Sequence, residues 1–409
     1  MTNFDVVILA AGKGTRMKDN LVKPLHKVAG LTMFEHVLAA AKKLKPNNII
    51  AVQSNEVDYS KFGVKTAIQS QQKGSAHALL AAMPQVTSER VLVLNADMPM
   101  ITSSTIEQLL INNEALLAGN LENPYGYGRV FALDGKVNRI VEEKDATPKE
   151  RRTSLVNAGV YLFNTQRIKE QLKNVQNSNS QGEYYLTDAT KNLSVVTVQD
   201  SNEILGANDQ IQLSHLAKLM RQRINNNIML SGVTMIDPQT TYIDADVIIE
   251  PGTAILPNTV IEGPSKIGHN SIIGPNAHIR PNTQLSNNVH IGNFVEVKNS
   301  TIGPYSQVGH LSYVGDATIG AGTNIGAGTI FVNYDGKNKN HTNVGDRVFI
   351  GSNSKLIAPI NISDEAITAA GSTIVQDIPK HAMGIARARQ ENKLNFWDRM
   401  EHEDFTKKD

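Results

Sequence analysis

Ile267-Gly268-His269-Asn270-Ser271-Ile272-Ile273-Gly274-Pro275-Asn276-Ala277-His278-Ile279 places an isoleucine at every sixth position. Outward from it, Ile243, Ile249, Ile255 and Ile261 on one side and Leu285, Ile291 and Val297 on the other keep the interval without a break. A helix repeats about every 3.6 residues and a strand every two, so neither asks for this spacing. A hexapeptide repeat does, and it marks a parallel β-helix. The aliphatic side chain closes the inside of each turn, while Gly, Asn and Pro make the corners.

The rhythm slips by one residue at Ile302, resumes at Val308 and Val314, and slips again at Ile319. Ile325 and Phe331 continue it, and Val344, Ile350, Leu356 and Ile362 restore it after a break. The break, Asn333–Asn343, is expected to leave the stack as an eleven-residue loop, and such loops often carry function. From Ala388 the chain is charged and holds the only tryptophan, Trp397. That tail reads as a short helix or a loosely held arm.

The first half has another grammar. Val6–Leu9, Asn48–Gln53 and Val91–Leu94 are apolar runs of buried-strand length, separated by helical stretches such as Met33–Leu44 and Ala76–Met83. This alternation predicts an α/β domain with a mostly parallel, Rossmann-like sheet and helices on both faces. Sites then belong at the carboxyl ends of the strands. Leu213, Leu216, Ala217, Met220, Ile224 and Ile228 follow helical spacing. The expected division is 1–212, a linking helix at 213–232, and the solenoid with its tail at 233–409.

Composition narrows the function classes. Among 409 residues, 40 Lys and Arg face 39 Asp and Glu, a formal charge of +1. That balance suits neither a nucleic-acid coat nor a polybasic membrane anchor. With no cysteine, disulfides, thiolate metal sites and a cysteine nucleophile are excluded. No basic segment with a long apolar run precedes Val6, and no stretch approaches eighteen uncharged apolar residues. A soluble cytoplasmic protein is expected.

Val6-Val7-Ile8-Leu9-Ala10-Ala11-Gly12-Lys13-Gly14-Thr15-Arg16-Met17 is a strand running into a glycine-rich turn. Small residues there let backbone N–H groups approach phosphate oxygens, and Arg16 and Lys23 can neutralise phosphate charge. The Walker A pattern is missing, and Met17 occupies the third glycine of a dinucleotide fingerprint. A bare glycine loop is no more than a tight strand–helix turn. Together with Lys23-Pro24-Leu25 the run resembles the sugar-phosphate nucleotidyltransferases, which join a sugar 1-phosphate to a nucleoside triphosphate and release pyrophosphate. Val91-Leu92-Val93-Leu94-Asn95-Ala96-Asp97 puts an acid just past a buried strand, where its carboxylate can ligate Mg²⁺; alone, such an Asp reads as a cap.

The resemblance implies further roles. Leu9, Ala10, Ala11, Gly12, Lys23, Asn95 and Asp97 would line the nucleotide-sugar site. Gln69 and Gly74-Ser75 stand where the family reads uracil. Tyr125-Gly126-Tyr127-Gly128-Arg129, Glu142 and Asn157 match sugar-contacting positions, with Gly128 among the contacts. In Gly206-Ala207-Asn208-Asp209, Asn208 would be the second metal ligand beside Asp97. Two positions depart from the family: Ala96 stands for Gly, with a methyl expected to crowd the sugar, and Gln210 stands for Arg or Lys.

The second half breaks its own repeat with polar groups. Asn293-Phe294-Val295-Glu296-Val297-Lys298, Gly309-His310-Leu311-Ser312-Tyr313-Val314-Gly315-Asp316, Asn324-Ile325-Gly326-Ala327-Gly328-Thr329 and Asn333-Tyr334-Asp335-Gly336 carry more than packing requires. A lone His is usually structural. Here Arg280, Lys298, Tyr313, Asn324 and Lys339 recur at coil intervals and can converge on one edge. In this order the motifs resemble the bifunctional bacterial N-acetylglucosamine-1-phosphate uridylyltransferase / glucosamine-1-phosphate N-acetyltransferases, over essentially the whole chain. The chain is shorter than usual for that family, with trimmed loops in its first half.

That resemblance implies a left-handed parallel β-helix, an exception to the usual right-handed crossover. It implies His310 as the general base, with Arg16 and Lys23 as catalytic groups of the first half. Glu296 would orient the histidine. Arg280, Lys298, Tyr313, Asn324 and Lys339 would hold glucosamine-1-phosphate. Ala327, Asn333, Tyr334, Ser352, Ala370 and Arg387 fall on acetyl-CoA positions. Mg²⁺, UTP and acetyl-CoA are the implied cofactor and co-substrates, a homotrimer the implied assembly, and a precursor of peptidoglycan the product. The rivals are a nucleotidyltransferase whose solenoid only trimerises or binds a regulator, and a catalytically inert scaffold.

Overall fold

The computed structural model describes residues 3–12 and 14–400. Lys13 of the glycine-rich run and the tail beyond residue 400 lie outside it. Contacts divide the chain into two compact units. One runs to residue 227 and includes Ile243–Asp246; the other holds Ile228–Tyr242 and continues from Val247.

The first unit is built on a nine-stranded sheet. Lys65–Ile68, Ile49–Gln53, Phe4–Leu9 and Arg90–Asn95 lie side by side and parallel. The long strand Leu155–Asn164 follows, antiparallel to Arg90–Asn95 and to Ala115–Asn120. Parallel strand Ser194–Thr197 and the hairpin Arg129–Leu133 / Lys136–Val141 complete the sheet. The three apolar runs read as strands are all in the parallel core, and Val6, Val7, Ile8, Leu92 and Val93 are fully buried. One antiparallel strand in the middle departs from a plain alternation of strand and helix. Separate buried clusters of side chains pack against it on either face.

Helix Met33–Lys43 begins with a full capping box, in which Thr32 Oγ1 accepts from the Glu35 N–H and the Glu35 carboxylate accepts from the Thr32 N–H. Helix Gln210–Leu230 starts three residues before the expected Leu213, because the Asp209 carboxylate accepts from the Gln212 N–H at 2.8 Å and so opens the first turn. Leu216 and Met220 bury it against Val28, Met33, Met100 and Ala207. Among the described residues no helix is long and apolar enough to cross a membrane.

The second unit is a left-handed parallel β-helix with three sheets of nine, eight and seven short strands. All ten residues of the 243–297 rhythm are at most 8% exposed. The ladder explains the rhythm: Ile255 pairs with Ile273, then Ile291, Val308, Ile325 and Ile350. Like residues therefore stack one coil apart. The coil length is eighteen residues at first and seventeen from Ile291 to Val308 and from Val308 to Ile325, which absorbs the two slips at corners.

The excursion is shorter than the broken rhythm suggests. Thr342 and Asn343 are already in a strand, paired with Ala317 and Thr318 below and Ile360 and Asn361 above. Only residues 333–341 leave the stack, bridged internally at Tyr334 and Lys339. Among the described residues of the tail a short 3-10 turn runs Trp397–Arg399, and residues 388–400 are exposed.

One corner repeats a left-handed residue in each coil: Asn258, Asn276, Phe294, Leu311, Gly328, Asn353 and Gly371. Asparagine and glycine tolerate this conformation; phenylalanine and leucine do not adopt it readily.

Candidate active sites

In the first unit, strands Phe4–Leu9 and Arg90–Asn95 end together, with Leu9 opposite Asn95. The Ala96 N–H donates to the Leu9 carbonyl at 3.1 Å and the Ala10 N–H to Val52 at 2.9 Å. The glycine-rich turn and Asp97 therefore leave the sheet at one edge. A methyl group at Gly14, whose φ is +63°, would lie 2.5 Å from Lys23 Cβ, so glycine is what admits Lys23.

The Lys23 ammonium donates to Asp97 Oδ2 and, at 2.8 Å, to Asn208 Oδ1. Arg16 also donates to Asn208 Oδ1, at 3.0 Å. Four residues far apart in sequence thus meet at one point. The oxygens of Asp97 and Asn208 share one cation, the Lys23 ammonium. That donor set fits Mg²⁺, which takes one or two protein oxygens and completes its shell with water and substrate phosphates.

Gln210 has a partner of its own. Its amide donates to Asp19 Oδ2 at 3.1 Å, the oxygen that also meets His26 Nε2 at 2.7 Å. His26 Nδ1 lies 3.0 Å from the Lys23 carbonyl. Asp19 and His26 thereby tie the turn after the glycine-rich run to Lys23 and to the start of the helix after Asn208. The His26 hydrogen bond holds the Asp19 carboxyl below its ordinary range.

Ala96 corrects an expectation. It is 1% exposed and packs in the core with Leu94 and Met98, so its methyl does not reach the cleft.

The residues expected at the base follow a second strand, Lys65–Ile68. Gln69 is buried, and its amide approaches the Gly74 carbonyl and His77 Nδ1, each at 3.1 Å. A side chain at Gly74 would strike the Tyr184 carbonyl, 2.5 Å away. Ser75 Oγ accepts from the Leu186 N–H at 3.0 Å. His77, which sets the Gln69 amide, was not singled out in the sequence, where nothing but a helical position marks it.

Glu142 lines a cleft of about 470 Å³ with Tyr185, Thr187, Asp145 and Asp188. Thr187 Oγ1 donates to Glu142 at 3.2 Å. Burial pushes the Glu142 carboxyl up, and Asp145, Asp188 and Glu183 push it further. Gly128 lies against the same carboxylate, whose oxygens would be 3.2–3.3 Å from an added methyl. Tyr185 and Thr187 are thus cleft residues that sequence reasoning missed.

Asn157 is engaged differently. Its carbonyl accepts from the Gly159 N–H at 2.9 Å and its amide donates to Tyr161 OH at 2.7 Å, across the irregular step of strand Leu155–Asn164. Gly159 there brings the backbone against Asn95, since an added methyl would lie 2.0 Å from Asn95 Nδ2.

In the second unit, Ile279 pairs with Val297, so Arg280 and Lys298 occupy one column on successive coils. Lys298 pairs with Gly315, and Tyr313 folds back over that glycine: a methyl there would be 2.3 Å from the phenol oxygen. Lys339, on the excursion, holds the Lys298 ammonium below its ordinary range, with burial and Arg280 adding to the effect. Arg280, Lys298, Tyr313 and Lys339 are therefore brought together. Asn324 stands apart on another sheet, in the ladder after His290 and Gln307.

His310 is exposed at the end of strand Gln307–His310, opposite Asn293. Glu296 is engaged with Arg280. Its carboxylate accepts from Arg280 Nη1 at 2.8 Å, and its ladder neighbours are His278 and Tyr313, on a different sheet from His310. Glu296 thereby holds Arg280. Near His310 instead lies His290, whose imidazole is pushed down by burial and by the charge of His310.

Ala327, Ser352, Ala370 and Arg387 fall on one edge of successive coils. The Asn353 N–H donates to the Ala327 carbonyl at 2.7 Å and the Gly371 N–H to the Ser352 carbonyl at 2.8 Å. Arg387 Cδ is 3.9 Å from the position of a Gly371 methyl. Tyr334 is on the excursion, its hydroxyl donating to the Gly336 carbonyl at 2.7 Å. Asn333, where the excursion leaves the stack, is buried.

Comparison with known proteins follows the same division. The family model described as MobA-like NTP transferase domain matches residues 6–118, and the one described as GMPPB C-terminal domain matches 261–334. A hexapeptide repeat of succinyl-transferase matches 342–376, so the gap between these two falls on the excursion. The bifunctional protein GlmU of Oenococcus oeni is 56% identical over 411 residues, covering 99% of this chain and 96% of that protein. That of Limosilactobacillus reuteri is 43% identical over 449 residues, covering 97% and 99%, and that of Listeria welshimeri 42% over 459, covering 98% and 100%. The last alignment runs at least 50 positions beyond the length of this chain, in keeping with trimmed loops. The chain belongs to the GlmU family of bifunctional uridylyltransferase–acetyltransferases.

Proposed function

We propose that the second unit acetylates glucosamine-1-phosphate from acetyl-CoA and that the first joins the N-acetylated sugar phosphate to UTP, releasing pyrophosphate. The product is UDP-N-acetylglucosamine. The observation that carries this reading is the cluster of Arg280, Lys298 and Lys339 beside Tyr313, which a rod that only trimerises does not need. Three cations on one edge suit a phosphate dianion.

In the acetyl transfer, His310 takes a proton from the substrate ammonium. The freed amine attacks the thioester carbonyl, the C–S bond breaks, and the departing thiolate takes up a proton. A base is needed because an amine is mostly protonated near neutral pH. Ala327, Ser352, Ala370 and Arg387, with Asn333 and Tyr334, are assigned to acetyl-CoA along their common edge.

In the uridylyl transfer, a phosphate oxygen of the sugar attacks the α-phosphorus of UTP in line and pyrophosphate leaves. Arg16 and Lys23 offset the charge that develops. Leu9, Ala10, Ala11 and Gly12 offer backbone to the phosphates, Gln69, Gly74 and Ser75 take the base, and Gly128, Glu142 and Asn157 take the sugar. Asp97 and Asn208 would hold Mg²⁺, which supplies neutralisation of phosphate charge. Lys23 then turns from these two oxygens toward the nucleotide.

The assembly is inferred to be a homotrimer. Phe294 and Leu311, which follow Asn293 and His310 at the same left-handed corner of successive coils, are 59% and 61% exposed and support a covered surface there. A cytoplasmic location fits the two nucleotide co-substrates.

The test is thiol release from acetyl-CoA with glucosamine-1-phosphate as acceptor and glucosamine-6-phosphate as control. Release specific to the 1-phosphate is expected. No release, with UTP-dependent pyrophosphate still formed from N-acetylglucosamine-1-phosphate, would reduce the solenoid to a trimerising or regulatory module.

A further inference from the structure

Asp316 forms the corner between strands Tyr313–Gly315 and Ala317–Ile319, with φ of 51°. The two coils before it place Asn282 and Asn299 at the same corner in the same conformation. Both residue types tolerate a left-handed backbone, so conformation does not account for the change from Asn to Asp. Hydrogen bonding does.

Asp316 is 8% exposed and so is Asn333. Asp316 Oδ1 accepts from Asn299 Nδ2 at 2.5 Å, and Oδ2 accepts from Asn333 Nδ2. A carboxylate accepts on both oxygens, whereas asparagine has one acceptor and one donor. Asparagine at 316 would keep its bond from Asn299 but meet Asn333 donor to donor. The Asn333 amide could turn over to accept, which withdraws its N–H from Tyr313 OH, now 3.4 Å away.

The main chain adds a second tie. The Thr342 N–H donates to the Asp316 carbonyl at 3.2 Å. Residues 333–341 are the excursion that carries Lys339, so Asp316 binds its departure through the side chain and its return through the backbone. The Asp316 N–H in turn donates to the Lys298 carbonyl at 3.1 Å, which links the same corner to the coil below.

We propose that Asp316 is a positioning residue for acetyl transfer: it anchors both ends of the 333–341 excursion and so sets Lys339 beside Lys298 and Arg280 around the sugar phosphate. The inference rests on the acetyltransferase reading of the second unit. Asp316 does not touch the reacting atoms; it acts through Asn333 and Lys339.

The test uses the full chain with Asp316→Ala and Asp316→Asn. Three readings are taken: KM and kcat for acetyl transfer, uridylyl transfer as the control for folding, and the rate of trypsin cleavage after Lys337 and Lys339. For Asp316→Ala the KM for glucosamine-1-phosphate is expected to rise about tenfold, from loss of a charge-assisted hydrogen bond, with a smaller change in kcat. Cleavage in the excursion should quicken while uridylyl transfer holds. Asp316→Asn should fall between Asp316→Ala and the unaltered chain. Unchanged KM and cleavage in Asp316→Ala would overturn the proposal, as would a parallel loss of uridylyl transfer, which marks general unfolding. If the unaltered chain transfers no acetyl group, the acetyltransferase reading fails instead. The cleavage comparison then still decides whether Asp316 anchors the excursion.

Discussion

Lys23 reaches Asp97 and Asn208 because residue 14 has no side chain. Gly14→Ala would place a methyl 2.5 Å from Lys23 Cβ and force alanine to φ +63°. Uridylyl transfer, followed as pyrophosphate release, should fall at least about tenfold, as expected when a positioned cation is displaced. Thiol release at the other site should stay as it was. Glu142 leads to a prediction of opposite character. Its carboxyl is raised by burial, so the folded chain binds that proton more tightly than the unfolded chain does. The stability it contributes is present at low pH and is lost as pH rises through the folded value. Glu142→Gln should therefore raise the melting temperature more at pH 8 than at pH 5, while the KM for the sugar phosphate rises. Equal shifts at the two pH values would show that the carboxyl carries no such penalty. At this scale the sequence was legible in which residues meet: Lys23 lies on Asp97, and Arg280 and Lys298 share a column. It was not legible where direction decides. Spacing sets Glu296 at similar sequence distances from Arg280 and His310, and only the structure shows its carboxylate accepting from the arginine. Ala96 likewise turns into the core because it alternates with Asn95 at the strand end.

The coil is the element that repeats, and its inner aliphatic residue is the unit of its stability. Ile273 is fully buried between Ile255 and Ile291. Ile273→Ala should destabilise the second unit by about 2–5 kcal/mol through lost transfer energy and the cavity left behind. Urea unfolding read by a probe in that unit would measure it, and a value under about 1 kcal/mol would mean the coil collapses to fill the gap. The six-residue rhythm by itself announces this architecture. Its limit came at the excursion, where eleven residues lacked the pattern but two of them, Thr342 and Asn343, pair by their main chains with coils on both sides. Backbone pairing needs no aliphatic side chain, so periodicity overstates a loop at its edges. The antiparallel strand Leu155–Asn164 was missed for a related reason, since its apolar residues do not reveal the direction of their neighbours.

For the whole molecule, two chemistries in two units make a double prediction. His310→Ala should abolish acetyl transfer, by about 10²–10⁴ if the histidine is the base, and spare uridylyl transfer. Asp97→Ala should do the reverse. Measured on folded protein, loss of both activities from either change would sink the two-site reading. The stack of coils has a further consequence. Neighbouring strands in a sheet lie about 4.8 Å apart, so each coil advances the edge by that amount. Ala327, Ser352, Ala370 and Arg387 mark four successive notches on it. On the proposed reading the edge is a ruler: it selects an acyl carrier by the length of its arm as well as by its chemistry. Its scale is set by the number of coils, so inserting one between these notches would recalibrate the enzyme without altering a single contact residue.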